Sequence, residues 1–178
     1  MAAININDVK IGFSDQFFFD TNIWLLLFGT VASMNKKEQK EYSVFFNEVL
    51  QKDKPIYITS MIISEFANVL LKRDYKQWIA TNKFVGKNYK LDFVGTRDYV
   101  DSVDTISILI KKILKLAIVV GDNFNALDSS SIFNNFKAVD FNDSYILELA
   151  RVNNYKLITN DTDYLKLATN VDIISAQV

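Results

Sequence analysis

Histidine and cysteine are both missing from this chain. Without histidine, no side chain ordinarily titrates near neutral pH, and no Ser-His-Asp, Cys-His or zinc-histidine site can form. Without cysteine there is no disulfide framework, which suits a cytosolic setting. Any chemistry must therefore rest on carboxylates, hydroxyls, lysine or a bound ion. Long apolar runs are also lacking: "IWLLLF" and "LAIVV" fall far short of the roughly 20 residues that span a bilayer. Residues 1–16 are polar, carry Asp8, Lys10 and Asp15, and show no apolar signal-peptide core. With one proline and five glycines, no linker or repeat is visible. The expectation is a soluble cytoplasmic protein with no membrane partner.

What is present suits one folded unit. The 178 residues are 49% apolar and 23% charged, enough for one domain with a real core and short of two. The net charge of −1 argues against a generally nucleic-acid-binding surface. Its distribution is uneven: residues 72–99 carry seven Lys/Arg against three Asp, a local +4.

Apolar patterning alternates strand and helix. "QFFFD" (16–20) reads as a buried strand. In "KEQKEYSVFFNEVLQKD" (37–53), Tyr42, Phe45, Phe46, Val49 and Leu50 fall at helical spacing, and Pro55 closes the segment. "IYIT" (56–59) is a second strand, and Ser60 is placed to cap a helix over 61–73. Residues 97–115 form the clearest helix, with a stripe of Tyr99, Val100, Val103, Ile106, Ile110, Ile113 and Leu114. "LAIVV" (116–120), "KLIT" (156–159) and "VDIIS" (171–175) read as strands. Residues 125–136 read as a weak helix and 143–154 as a strong one. Strands separated by helices predict a parallel sheet covered on both faces.

In such sheets, sites form beyond the carboxyl ends of the strands, and acids fall there. Asp20 ends the first strand, and Asp161 follows "KLITN". Glu65 lies one turn into the helix after "IYITS", and Asp143 opens its helix. Glu65 sits among Met61, Ile62, Ile63, Phe66, Ala67, Val69, Leu70 and Leu71, where a carboxylate needs a partner or a metal. Asn68, three residues on, is placed to hydrogen-bond it or a ligand. Two carboxylates about 4 Å apart repel by roughly 1 kcal/mol in water and roughly 4 kcal/mol at an effective dielectric of 20. A hard divalent cation, Mg²⁺ or Mn²⁺, offsets that repulsion and can activate water without histidine. Each acid alone has a plainer use: Asp20, Asp143 and Asp163 as helix caps, and Glu65 as a lysine partner. Their shared edge favours the joint reading.

Taken together, "FFFDTNIW", "ITSMIISEFANVL" and "DFNDSYILELARVNNYKLITNDTDYL" resemble PIN-domain ribonucleases, especially VapC-type toxins. The matching features are Asp20 with Thr21 and Asn22, then Glu65, Asp143 and Thr159-Asn160-Asp161. Eighteen residues separate Asp143 from Asp161, a spacing that suits the family. The departures are a longer stretch over 72–115, a bulkier third helix, and Asp140 as a rival to Asp143. The resemblance implies a single PIN-like domain over 1–178, with its core from about residue 16: a three-layer α/β/α sandwich with a mainly parallel sheet. It implies a Mg²⁺- or Mn²⁺-dependent endoribonuclease, in which ion-activated water attacks phosphorus in line and leaves 5′-phosphate and 3′-hydroxyl ends. Asp20, Glu65, Asp143 and Asp161 would hold one or two ions, with Asp163 as a further ligand. Thr21, Asn22 and Thr159 would support these acids or touch phosphate. Toxin members form homodimers and are silenced by a cognate antitoxin.

The basic stretch then gains an expected role in RNA contact. Lys72, Arg73, Lys76, Lys83, Lys87, Lys90 and Arg97 are interleaved with Tyr75, Trp78, Phe84, Tyr89 and Phe93, which suits phosphate tracking and base stacking. Equally, aromatics are usually core and lysines usually solvate a surface. Two rival functions stand beside the nuclease. One is a catalytically inactive PIN-like module that binds RNA or protein. The other is a haloacid-dehalogenase-like phosphatase, disfavoured because that chemistry needs an acid two residues after Asp20 and residue 22 is Asn.

Overall fold

In a computed structural model of the protein, which describes residues 3–29, 36–167 and 169–178, six strands form one all-parallel sheet. They are β1 (Ile4–Asn5), β2 (Phe17–Phe19), β3 (Ile56–Ile58), β4 (Ile118–Val119), β5 (Lys156–Ile158) and β6 (Ile173–Ser175), in the spatial order β1-β6-β5-β2-β3-β4. The helices are α1 (Thr21–Phe28), α2 (Lys36–Gln51), α3 (Ser60–Asn82), α4 (Arg97–Leu116), α5 (Ser129–Asn135) and α6 (Phe141–Asn153). Among the described residues no helix is long and apolar enough to cross a membrane.

The unbroken "FFF" of β2 follows from burial on both faces. Side chains alternate along a strand, so Phe17 and Phe19 share one face. Their rings meet Phe45 and Phe46 of α2 edge-on, with centroids 5.6 and 5.8 Å apart. Phe18 faces the other way and stacks at 6.0 Å on Tyr155, the residue that leads from α6 into β5. Tyr155 in turn stacks on Tyr57 of β3 at 4.5 Å. Helices thus cover both faces, giving the three-layer α/β/α sandwich.

Several elements differ from the sequence expectation, each for a local reason. β1 pairs with β6 through two residues, too short to show a period. α1 is buried nearly all round, at Ile23, Trp24, Leu25 and Leu26, so its 3.6-residue rhythm is hidden. α3 begins after Thr59, not Ser60, and continues nine residues past the expected Arg73. That extension faces no part of the main core. Instead Tyr75, Trp78, Phe84, Tyr89, Phe93 and Tyr99 pack on one another, with Phe93 fully buried, as a second small core under the α3–α4 turn. Around Phe93 the other rings are half-buried, and Phe84 is exposed. α4 starts on a Thr96 cap, whose Oγ1 accepts from the Tyr99 amide at 3.2 Å. α6 starts two residues early because Asp140 caps it, accepting from the Asp143 amide at 2.9 Å.

Strand order also locates a crevice. From β2 the chain steps one way to β3 and β4; β5 and β6 lie on the other side of β2. The segments leaving β2 and β5 therefore diverge at their carboxyl ends, the switch point where open α/β sheets bind ligands. The Asp20 amide donates to Ile158 O at 3.0 Å, holding these two strand ends together.

Candidate active site

Asp20 stands at the switch point, just past β2, and is 5% exposed. It caps α1 through a 2.6 Å bond from the Thr21 amide to Oδ1. Its other oxygen, Oδ2, accepts from Asn22 Nδ2 and from Thr159 Oγ1, both at 2.8 Å. Thr159, past the end of β5, also accepts from the Asp161 amide at 3.0 Å. The capping use and the site use of Asp20 are therefore one arrangement, because the α1 start lies in the crevice.

The other acids reach the crevice from separate elements. Glu65, one turn into α3, accepts from Thr21 Oγ1 at 2.9 Å through Oε2. Asp143, in the first turn of α6, accepts from the Tyr164 hydroxyl at 2.9 Å through Oδ1. Asp161 Oδ1 accepts from the Asp163 amide at 2.8 Å. Glu65 Oε1, Asp143 Oδ2 and Asp161 Oδ2 accept from no described residue.

Electrostatics ties the four together. Burial pushes the Asp20 carboxyl up to about 7, and the charges of Asp143 and Glu65 push the same way, against hydrogen bonds from Thr159 and Thr21. Burial raises Asp143 to about 6, with Asp140, Asp161 and Glu65 adding repulsion. Tyr164 is fully buried, and burial together with the charges of Asp20, Asp143 and Asp161 holds its hydroxyl well above the usual phenol range. It is a fixed donor at the centre of the cluster.

A metal can be tested against these residues. As the side chains lie, no three acids among the described residues are arranged to hold one ion. The chemistry of the donor set still fits a hard divalent cation: oxygen atoms only, mutually repelling, with one oxygen of Glu65, Asp143 and Asp161 unclaimed. Beside Glu65 a cleft of about 700 Å³ opens between α3 and α6, with Ser64, Asn68, Lys72 and Asn142 among its walls.

Some expected residues stand elsewhere. Asp163 pairs through Oδ1 with Lys166, three residues on. Asn68 is exposed and donates to Ser64 Oγ at 3.4 Å; Thr21, not Asn68, bonds Glu65. Asp140 serves as the α6 cap, while Asp143 reaches the other acids. Of the basic residues, Arg73, Lys87 and Arg97 are paired with Asp74, Asp92 and Asp101.

Three residues escaped the sequence reading. Tyr164 lies directly after Asp163 and reads as an ordinary apolar position. Tyr42 reads as part of the α2 stripe, yet its buried hydroxyl donates to Thr159 O at 2.8 Å and accepts from the Ala176 amide at 2.9 Å, anchoring the loop after β5. The available signal was tyrosine in place of phenylalanine, since a buried hydroxyl requires a partner. Asp122, just beyond β4, accepts from Ser60 Oγ at 2.9 Å. Its Oδ1 and Thr59 Oγ1 are the buried side-chain atoms without a partner among the described residues.

The PIN domain family model matches residues 17–170, most of the chain. No curated protein matches the sequence. Among solved structures, the chain is similar to PAE2754 from Pyrobaculum aerophilum at 15% identity and a TM-score of 0.49, over 92% of this chain and 85% of that one. It is also similar to VapBC2 from Rickettsia felis, bound to a DNA fragment from their promoter, at 16% identity and a TM-score of 0.46, over 88% and 96% of the two chains. Both are distant likenesses.

Proposed function

The chain belongs to the PIN domain family, whose members are generally nucleases, and from that premise we propose that it is a divalent-cation-dependent endoribonuclease acting as the toxin of a toxin–antitoxin pair. The observation that carries this reading is the convergence of Asp20, Glu65, Asp143 and Asp161 on the switch-point crevice, with two of them raised far above the usual carboxylate range. Mg²⁺ or Mn²⁺ would be held by these four. When bound, the ion supplies charge to offset the phosphate's developing negative oxygens and makes water more acidic.

The chain's own residues do the rest. Thr21, Asn22 and Thr159 fix the Asp20 carboxylate, and Thr21 also fixes Glu65, so one short segment orients two acids from different elements. Tyr164 holds Asp143 Oδ1 and so orients its carboxylate with Oδ2 left for the ion. Tyr42 keeps the loop bearing Asp161 in place. The basic stretch over 72–97 supplies phosphate contacts. A cognate antitoxin and a homodimer belong to the same proposal.

The test is incubation with a mixed RNA pool, including transfer RNA, in Mn²⁺, in Mg²⁺ and in EDTA, beside Asp20→Asn. The expected result is metal-dependent cleavage that the variant lacks. Absence of both cleavage and any metal-induced thermal shift would overturn the proposal in favour of an inactive binding module.

A further inference from the structure

The seven cations between residues 72 and 97 fall into two groups. Arg73 pairs with Asp74 at 2.7 Å and donates to Gly29 O, joining α3 to the end of α1. Lys87 pairs with Asp92 at 2.9 Å and Arg97 with Asp101 at 3.9 Å. Lys72, Lys76, Lys83 and Lys90 are exposed and pair with no described residue.

Two of the unpaired lysines share a line on α3 with an acid of the crevice, and a third stands at the end of that helix. Lys72 and Lys76 lie seven and eleven residues past Glu65, close to two and three whole turns at about 3.6 residues per turn, and Lys83 follows as the left-handed cap that ends the helix. With a rise of about 1.5 Å per residue, Lys72 and Lys76 stand about 10 and 16 Å from Glu65 along α3, and Lys83 lies just past its end. Asn68, Val69, Lys72, Lys76 and Ala80 on this line, and Lys83 after it, are exposed among the described residues. Asp74, the acid on this part of α3, is turned to Arg73. The cleft of about 700 Å³ begins on the same line, between Glu65, Asn68 and Lys72 on one side and Asn142, next to Asp143, on the other.

We propose that this line of α3 is the path of a single-stranded RNA leaving the acidic crevice, an inference that rests on the nuclease reading above. With the scissile phosphate at the acids, the phosphates to one side follow Lys72, Lys76 and Lys83, a span that a few nucleotides of extended strand cover. One row of charges on one helix face suits one backbone; a duplex presents two. The aromatics of the α3–α4 turn pack on each other, so the path reads backbone charge and is tolerant of base sequence.

The test measures binding of an unstructured RNA in EDTA across a salt series. For single strands, log affinity falls against log salt by about 0.7 for each phosphate neutralised. Replacing Lys72, Lys76 and Lys83 together by Gln should flatten the slope by about 2. A charge-matched control replaces Lys111, Lys112 and Lys115, which lie where α4 enters β4, at the opposite edge of the sheet from the acids. It should leave the slope unchanged. Equal slopes for both variants, or no change in the first, would overturn the path. So would a loss of polyglutamate binding with RNA binding intact, which would indicate an acidic protein on this face. Wild-type cleavage of the same RNA in Mn²⁺ keeps the two ideas separate. Cleavage with an unmoved slope sinks the path alone; neither cleavage nor binding sinks the nuclease reading with it.

Discussion

In a chelating buffer at pH 7, Asp143→Asn should make the protein more stable. The substitution removes one charge from the cluster while keeping an oxygen for the Tyr164 hydroxyl. In the folded chain Asp143 is raised from 3.8 to about 6, a difference worth at most roughly 3 kcal/mol at about 1.4 kcal/mol per pH unit. Asp143 is only partly buried, and discounting for solvent screening leaves about 1–2 kcal/mol. For a chain of this size, that raises the melting temperature by about 3–6 °C. The sign follows from linkage. Below about pH 4 the residue is protonated in both states, and the variant has no advantage. As pH rises toward 6, the unfolded chain releases its proton before the folded one, and the wild type loses stability. The advantage should therefore grow between about pH 4 and 6 and then level. Mn²⁺ should reverse the order, since a ligand at one hundred times its Kd adds about 2.7 kcal/mol to a native state that binds it. The assay is thermal melting across pH, with EDTA and with Mn²⁺. Equal melting of both proteins at pH 7 in EDTA, or a gain already complete at pH 4, would refute the reasoning.

Asp20 gives a second pH dependence, larger because it is buried. Its carboxyl lies near 7 when folded against 3.8, so metal-free wild type should lose about 3 kcal/mol relative to Asp20→Asn between pH 4 and 7. Urea denaturation at several pH values measures this, and a difference that does not change with pH contradicts it. Tyr164→Phe removes one hydroxyl and should weaken apparent Mn²⁺ affinity about tenfold, because donors behind a metal-binding carboxylate set its orientation. A Mn²⁺ titration followed by thermal shift checks it, with an unmoved midpoint counting against. Phe18→Ala should destabilise by about 3–5 kcal/mol, and guanidinium unfolding showing less than 1 kcal/mol would mean the β2 packing is misread.

The local patterns visible in the chain reach a definite depth. "FFFD" announces a doubly buried strand ending in an acid, because residue type and run length are local properties. The stripes of α2 and α4 are legible for the same reason, and Glu65 and Asp143 are placed by their distance from a strand end or a helix start. Where a segment is buried all round, as in α1, the rhythm vanishes; where it packs on a satellite core, as in the second half of α3, the helix runs on past its pattern. The alignment of Lys72 and Lys76 with Glu65 is arithmetic on the sequence once α3 is known to run past residue 76. Which lysines are unpaired, however, depends on turns and neighbours. The supports of the site were beyond local reading. Thr21 and Glu65 are 44 residues apart, Tyr42 and Thr159 are 117 apart, and Thr159 and Asp20 are 139 apart. Strand order alone brings those groups within hydrogen-bonding distance. The sequence by itself determined which chemistry was available, acids without histidine at strand ends. The tertiary structure decided which acids meet and what holds them, because that depends on β5 lying beside β2, a pairing no local pattern encodes.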